Sequence, residues 1–356
     1  MNPEETSSDM ETEYHRYVYR KIVFILGCVL AMFLVLGYAA TIGSSGISTL
    51  DVYRDIWYHF VDPSKLDTTI DWIVFTNRLP RIATGLVAGI SLGVAGAAMQ
   101  SMMKNPLADP YTTGISSGAS FGATLAIVMG FSIADLGGTA GMVVTAFVFA
   151  LIPAAVIILV SSLKNTSAAT MILAGIAVMY LFNACTTIVQ LGASDASLSA
   201  VFQWSIGDLS GATWESFYVI TAFTIVGTII LMAVSKKLNI LITGDKNATA
   251  LGLNAHKLRI LLLIVISLMA ASVVCFTGII GFVGLVAPHI VRIFIGSDNR
   301  YLIPASAAFG AVLLMIADLI SRMIIAPTFL PVGVITAFIG CPLFLYLLIK
   351  QRKSMW

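Results

Sequence analysis

Long apolar runs separated by short polar segments dominate the chain. A helix needs about 20 apolar residues to cross a bilayer. Ten runs approach that length, and none shows the strict alternation of a half-buried strand. They predict an all-α membrane protein with about ten transmembrane helices, near residues 22–41, 80–102, 112–131, 139–162, 168–190, 214–234, 259–279, 281–295, 302–322 and 332–349.

The seventh and eighth predicted helices share a segment that is too short for two full crossings and a loop. Gly278, Gly281 and Gly284 interrupt the apolar run there, and Pro288 follows them. Proline removes a backbone donor and clashes with the preceding turn of a helix. We therefore expect at least one of these helices to be short or broken and buried among the others, where irregular backbone is tolerated.

Glycine recurs every fourth residue in the second predicted helix, at Gly85, Gly89 and Gly93. Residues at that spacing share one helix face, and a row of glycines lets another helix approach closely in lipid. The helix is followed by the segment 104–110, which contains two prolines. Because proline prevents an ordinary helix, we expect a rigid polar turn between two membrane helices.

Lysine and arginine are distributed unequally between the two sides that these helices define. Five of the twenty would lie on one side, and the other fifteen on the side that holds both termini. Cytoplasmic loops carry the excess of positive charge in membrane proteins. The distribution predicts an even number of spans and both termini in the cytoplasm, with a disordered tail over residues 1–21 and a short tail over 351–356. The five outer residues are Arg54, Lys65, Arg78, Arg81 and Arg322.

Composition indicates that residues 22–350 form one polytopic transmembrane domain. The chain is 58% hydrophobic and 11% charged, whereas soluble domains carry about 25% charged residues. It has no phosphate-binding loop, so we expect no ATPase within it. A net charge of +2 gives no reason to expect a nucleic-acid partner. The four cysteines are isolated and no catalytic motif occurs, so we expect neither an enzyme nor a metal site.

Two connecting segments have helical patterns of their own. In the outer loop over 42–79, apolar residues share one face and Ser48 begins a capping box, which predicts an amphipathic helix at the outer interface. In the cytoplasmic loop over 235–258, Asp245 suits an N-cap and Gly252 a helix stop. The short helix between them is either a capped linker or a docking surface for a cytoplasmic partner.

Few charges fall inside the apolar runs. Asp318 precedes Arg322 by four residues, a spacing that favours an ion pair on one helix. A proton- or sodium-coupled carrier usually needs buried acids or bases, so their scarcity favours an external energy source. An ATP-independent secondary carrier or channel stays open as the alternative. Arg78, Arg81 and Arg322 are either interfacial arginines or contacts for a charged partner.

Three groups of motifs resemble one family of transporters. The first is RLPR followed by NPLADP and GISSGA, between Arg78 and Ala119. The second is GFVGLVAPHIVRIFIGSDNRYLIPASAAFGA from Gly281, followed by ADLISR from Ala317. The third is LPVGVITAFIGCPLFLYLL from Leu330. In this order they are similar to the FecCD-type permeases of ATP-binding cassette (ABC) importers for iron siderophores, haem and vitamin B12.

The resemblance implies a type II ABC importer permease that works as a homodimer in the cytoplasmic membrane. Two copies of an ABC ATPase would hydrolyse ATP on its inner side, and one extracytoplasmic binding protein would deliver the substrate. The chain itself would bind no cofactor. The substrate would be a ferric siderophore, a corrinoid such as vitamin B12, haem or an oxyanion.

The resemblance also implies roles for individual residues. Arg78, Arg81 and Arg322 would receive acidic residues of the binding protein, and Asn105 and Leu107 would line the inner gate. A second gate segment would fall at residues 165–169, where alanines depart from the family's hydroxyl-rich pattern. The residues that match the family's ATPase-coupling segment are Gly244, Asp245, Ala248, Leu251 and Gly252.

Overall fold

The computed structural model describes residues 3–43, 47–133, 136–163, 168–326 and 328–350. Over these ranges it contains fifteen α-helices and no strand. Two short 3-10 turns and one π-helical segment join some of them. The helices are α1 (Pro3–Thr41), α2 (Thr49–Val61), α3 (Thr68–Trp72), α4 (Leu79–Met103), α5 (Ile115–Met129), α6 (Gly138–Leu163), α7 (Ala168–Leu191), α8 (Asp195–Ile206), α9 (Trp214–Ala233), α10 (Ser235–Ile242), α11 (Asp245–Ala250), α12 (Ala255–Thr277), α13 (Val283–Ile295), α14 (Asn299–Met323) and α15 (Val332–Lys350).

The ten predicted membrane helices are all present. Within the described ranges, seven helical runs are long and apolar enough to cross a bilayer, and three shorter apolar helices accompany them. The shorter ones are α5, α13 and α15. The prediction of an all-α membrane protein is therefore confirmed. The second span is longer than predicted, because α3 and a π-helical turn over Ile73–Arg78 extend α4 back to Thr68.

Helix α4 is the centre of the packed bundle. It is buried along nearly its whole length and packs against α9, α12, α13 and α14. Its glycines lie against backbone: a Cβ on Gly89 would come within 2.6 Å of the Gly310 carbonyl oxygen, and one on Gly93 would overlap the carbonyl of Ser306. Gly85 faces the softer side chains of Leu209 and Met315. The two glycines that face backbone set how closely α14 approaches.

The expected irregularity between the seventh and eighth spans is present. Helix α12 ends at Thr277 and is followed by Gly278, which has φ 67°, and α13 begins after Phe282, which has φ 69°. Positive φ is uncommon for a residue with a Cβ. Helix α13 has only 13 residues and is mostly buried, with Pro288 inside it. It is therefore the short helix that the sequence predicts.

The prediction of a disordered tail over residues 1–21 is wrong for the described part of that segment. Helix α1 begins at Pro3 and continues without interruption into its apolar part, which runs from His15 to Thr41. A helix that already exists extends without a new nucleation cost, since each added residue gains a hydrogen bond. The tail over 351–356 lies outside the described residues.

Helix α2 provides the amphipathic element expected in the outer loop. The Ser48 hydroxyl accepts a hydrogen bond from the Asp51 amide at 3.3 Å, as the capping pattern predicts. Its buried face carries Val52, whereas Trp57 and Phe60 are exposed. The apolar face is thus directed away from the bundle, which suits the interface of a bilayer. Contact with lipid there stays a prediction.

Candidate functional site

Asp318 is the centre of a charged cluster near the C-terminal end of α14. Arg81 donates from Nε to Asp318 Oδ1 at 2.8 Å, and Arg322 Nη2 lies 2.8 Å from Oδ2. The carboxylate is fully buried, and the two arginines are 6% and 5% exposed. The four-residue spacing predicted the contact between Asp318 and Arg322. Because buried charges are costly unless paired, the two arginines allow Asp318 to remain in the core.

The arginines also bind the end of helix α1. Arg78 Nη1 donates to the carbonyl oxygens of Ala40 and Thr41 at 3.1 and 3.2 Å. Arg322 Nη1 donates to the carbonyls of Ala39 and Ile42 at 3.1 and 3.0 Å. The last carbonyls of a helix lack partners within the helix and carry partial negative charge, so positive side chains stabilise them. The cluster therefore fastens α1 to α4 and α14.

Arg78, Arg81 and Arg322, which the sequence leaves open as interfacial arginines or as contacts for a charged partner, are not exposed. All three are buried in this chain, because α1 and Asp318 offer them partners that solvent-facing arginines would lack. They nevertheless line a cavity of about 310 Å³. Their proposed docking role stays a prediction, now one that involves a recessed cavity rather than a projecting patch. The other lining residues are Ile42, Gly43, Ile73, Asn77, Ser210 and Phe329.

The cavity retains hydrogen-bonding capacity and positive charge. Arg81 Nη2 has no hydrogen-bond partner, and it lies 3.8 Å from Asp208 Oδ1. Arg322 Nε is buried and has no hydrogen-bond partner either. Three guanidinium groups are thus balanced by one buried carboxylate and one that is partly exposed. A carboxylate entering the cavity would meet a favourable positive charge.

At the opposite end of α4 the predicted gate segment forms a fixed turn. Lys104 closes the helix in the left-handed conformation, with φ 50° and ψ 38°. The Asn105 amide donates to the Gln100 carbonyl at 3.1 Å, and the Asn105 side-chain oxygen accepts from the Leu107 amide at 2.9 Å. Leu107 is 41% exposed. These contacts give the turn one conformation and leave an apolar side chain at its surface.

Asp109 stabilises the second half of the same turn. Its carboxylate accepts a hydrogen bond from the Tyr111 amide at 2.8 Å, which caps the short helical turn that follows. Burial raises the pKa of Asp109 to about 6, and the Tyr111 amide partly opposes that rise. Among the ion pairs of the described residues, none joins an arginine or lysine to the Asp109 carboxylate.

The short helix in the cytoplasmic loop is present, but its capping differs from the prediction. Helix α11 has Gly244, with φ 117°, at its N-cap, and Asp245 is its first helical residue. Gly252, with φ 77°, follows the helix as predicted. Ala248 is buried, and Leu251 is 68% exposed. The loop also contains α10, a helix that the sequence did not predict.

The carboxylate of Asp245, the first residue of α11, binds two basic side chains. Arg259 donates to both oxygens, at 2.8 and 2.6 Å, and Lys104 donates to Oδ1 at 2.7 Å. The two hydrogen bonds from Arg259, opposed by partial burial and reinforced by Lys104, hold the pKa of Asp245 well below its usual range. A cleft of about 480 Å³ opens beside it, lined by Asp245, Thr249, Gly252, Leu253, Asn254, Ala255, His256 and Arg259.

Sequence reasoning missed three residues that the structure brings into this region. Lys104 and Arg259 bind Asp245, and Arg292 donates from Nη1 to Gln100 at 2.9 Å within the bundle. Each is a charged residue in or beside an apolar run, and this position is the feature of the sequence that could have identified it. Residues 165–167 of the second gate segment lie outside the described residues. No group of three or more His, Cys, Asp or Glu side chains suited to a metal ion is found in the described ranges.

Similarity to known proteins extends over nearly the whole chain. The FecCD transport family matches residues 28–350. A protein of Methanocaldococcus jannaschii named as an ABC transporter permease is 43% identical over 354 residues, covering 98% of this chain and 100% of that one. The hemin transport system permease protein HmuU of Yersinia pestis is 35% identical, over 92% of this chain and 96% of its own.

A solved structure shares the same fold. It shows an inward-facing conformation of a transporter described as metal-chelate type ABC. The two chains superpose with a TM-score of 0.80 and 28% sequence identity, covering 92% of this chain and 99% of the other.

Proposed function

The chain belongs to the FecCD transport family, and from this premise we propose that it is the membrane-spanning permease of an ATP-driven importer that takes up a metal chelate. The observation that carries the proposal is the match over residues 28–350, which includes nine of the ten apolar helices and the second half of the first, α1. Relatives named for hemin transport and a neighbour of metal-chelate type support the substrate class. A ferric siderophore, haem and vitamin B12 all fall within it.

The energy for transport would come from a separate ATPase that docks against the loop over 235–258. Helix α11 supports this role, because the exposed Leu251 directly after it offers an apolar contact while buried Ala248 secures the helix to the chain. Gly244 and Gly252 bound the helix with backbone conformations that other residues rarely adopt. In a homodimer the two copies of this segment would receive two ATPases. ATP would then be bound by the ATPases and not by this chain.

A binding protein would deliver the chelate at the opposite face, through the arginine-lined cavity. Arg78, Arg81 and Arg322 are held by internal contacts, so they present a preformed and positively charged recess. Its volume of about 310 Å³ suits one or two acidic side chains. Preorganised donors reduce the ordering cost of docking. One binding protein would thus engage the two cavities of a homodimer.

The distribution of lysine and arginine supports the orientation that these roles require. The loop over 235–258 belongs to the side with fifteen of the twenty basic residues, which we assign to the cytoplasm. The arginine cavity then faces outward, and both termini are cytoplasmic. The chain would reside in the cytoplasmic membrane.

The substrate class can be tested by uptake in cells with and without this gene. Radiolabelled cobalamin, a labelled ferric siderophore and labelled hemin would be supplied separately, and plasmid-borne wild-type chain would serve as the complementation control. The proposal predicts that deletion abolishes uptake of one chelate and that the plasmid restores it. Unchanged uptake of all three would contradict the metal-chelate assignment.

A further inference from the structure

Two ties join the last turn of α4 to the cytoplasmic loop that contains α10 and α11. The first is ionic: Lys104, directly after α4, donates to Asp245 of α11 at 2.7 Å. Arg259 of α12 holds the same carboxylate with two hydrogen bonds and is itself 4% exposed. Asp245 is therefore a joint at which three helical elements meet.

The second tie is uncharged and lies one turn earlier on α4. Ser101 donates to the Asn299 side-chain oxygen at 2.7 Å, and Asn299 donates from Nδ2 to the Asn239 oxygen at 2.9 Å. Asn239 belongs to α10, which directly precedes α11. The loop is thus attached to α4 at two positions that are three residues apart. A movement of α10 and α11 would act on the end of α4 through both.

The ionic tie is placed next to the gate turn. Lys104 is followed at once by Asn105, and the Asn105 side chain sets the position of Leu107. Lys104 holds a left-handed backbone conformation that is uncommon outside glycine, so its surroundings must maintain it. The contact with Asp245 is one such constraint. Any change in the position of Asp245 therefore reaches the turn through a single side chain.

We propose that Lys104 and Arg259 are positioning residues that transmit the movement of α11 to the gate turn over 105–107, with Asp245 as their shared joint. This rests on the proposed function, because it takes α11 as the ATPase contact and the turn as the gate. In this proposal Asp245 binds Lys104 and Arg259 within the permease and does not contact the ATPase directly. The tie stays closed throughout the cycle, so that α11 and the turn move together.

The test measures the turn in the complete transporter with its ATPase bound. Leu107→Cys is introduced after the four native cysteines are replaced, and its maleimide labelling rate is compared with and without ATP. We expect ATP to change the rate in this background. Adding Lys104→Met should reduce that change at least about fivefold, while affinity for the ATPase stays within about twofold. Lys104→Arg, which keeps the charge, should restore the response.

A matched control uses the same substitution at an exposed ion pair. Lys65 lies 2.8 Å from Asp62 in the outer loop, and Lys65→Met should leave the response unchanged. Asp245→Asn provides a second test at the joint and should also reduce the response. A full ATP response in both Lys104→Met and Asp245→Asn would overturn the relay alone. Failure of the unsubstituted chain to bind any ATPase would overturn the proposed function as well.

Discussion

Removing Asp318 should destabilise the chain far more than removing an exposed charge with equally short contacts. Asp318 is fully buried and lies 2.8 Å from both Arg81 and Arg322. Replacing one partner of a buried ionic group strands the others without compensation, which costs about 3–5 kcal/mol. In Asp318→Leu two guanidinium groups would lose their carboxylate. We therefore expect a loss of about 3–5 kcal/mol in the free energy of unfolding.

The comparison variant is Arg54→Leu, which breaks the exposed pair between Arg54 and Asp51 at 2.6 Å. Pairs of this kind contribute about 0–1 kcal/mol, because water screens them. The assay is thermal unfolding of the purified chain in detergent. A chain of this length should lose about 4–7 °C in Asp318→Leu and less than about 2 °C in Arg54→Leu.

A double variant tests whether the lost stability comes from stranded charge. In Arg81→Met with Asp318→Leu, one positive and one negative group leave the core together, and Arg322 keeps its contacts with the α1 carbonyls. Replacing a whole buried pair with apolar residues costs less than breaking it. The double variant should therefore unfold at a higher temperature than Asp318→Leu alone. Equal or lower stability in the double variant would refute this reasoning.

Three further predictions concern other parts of the chain. Gly93→Val should prevent correct folding, because the valine side chain would overlap the Ser306 carbonyl. Gel filtration would then show the loss of the monodisperse peak. The control is Gly137→Val, at a position with open space. Leu251→Asp should weaken ATPase binding at least about tenfold in a pull-down titration without changing the melting temperature, and unchanged affinity would remove α11 from the contact. The melting temperature of Asp109→Asn, measured relative to wild type, should rise as pH increases from about 4 to about 6 and should then level off. Burial raises the native pKa of Asp109 to about 6, so the native state binds this proton more tightly than the unfolded chain does. Wild-type stability therefore falls over that pH interval. A difference in melting temperature that does not depend on pH would contradict this prediction.

Local patterns in the sequence predict most of the helices correctly. The ten apolar runs correspond to ten helices because crossing a bilayer requires both a length and a composition. The contact between Asp318 and Arg322 follows from helix geometry alone. The short α13 follows from its glycines and its proline. In each case the determining residues lie within a few turns of one another.

The missed features depend on residues that are far apart in the chain. Arg81 and Asp318 are 237 positions apart, and Lys104 and Asp245 are 141 apart. Without the fold, an arginine at the outer end of a helix cannot be assigned to a partner protein or to the carbonyls of another helix. For the same reason Asp245 suits an N-cap in sequence, yet in the structure two distant basic residues bind it.

The most direct test of the account is transport in right-side-out membrane vesicles that contain this chain and its ATPase. The vesicles would be loaded with ATP or with a nonhydrolysable analogue, and labelled chelate would be added outside with its binding protein. We expect uptake with ATP only, and only when the binding protein is present. Equal uptake with the analogue, driven by an ion gradient alone, would contradict the assignment as an ATP-driven permease and would favour a secondary carrier.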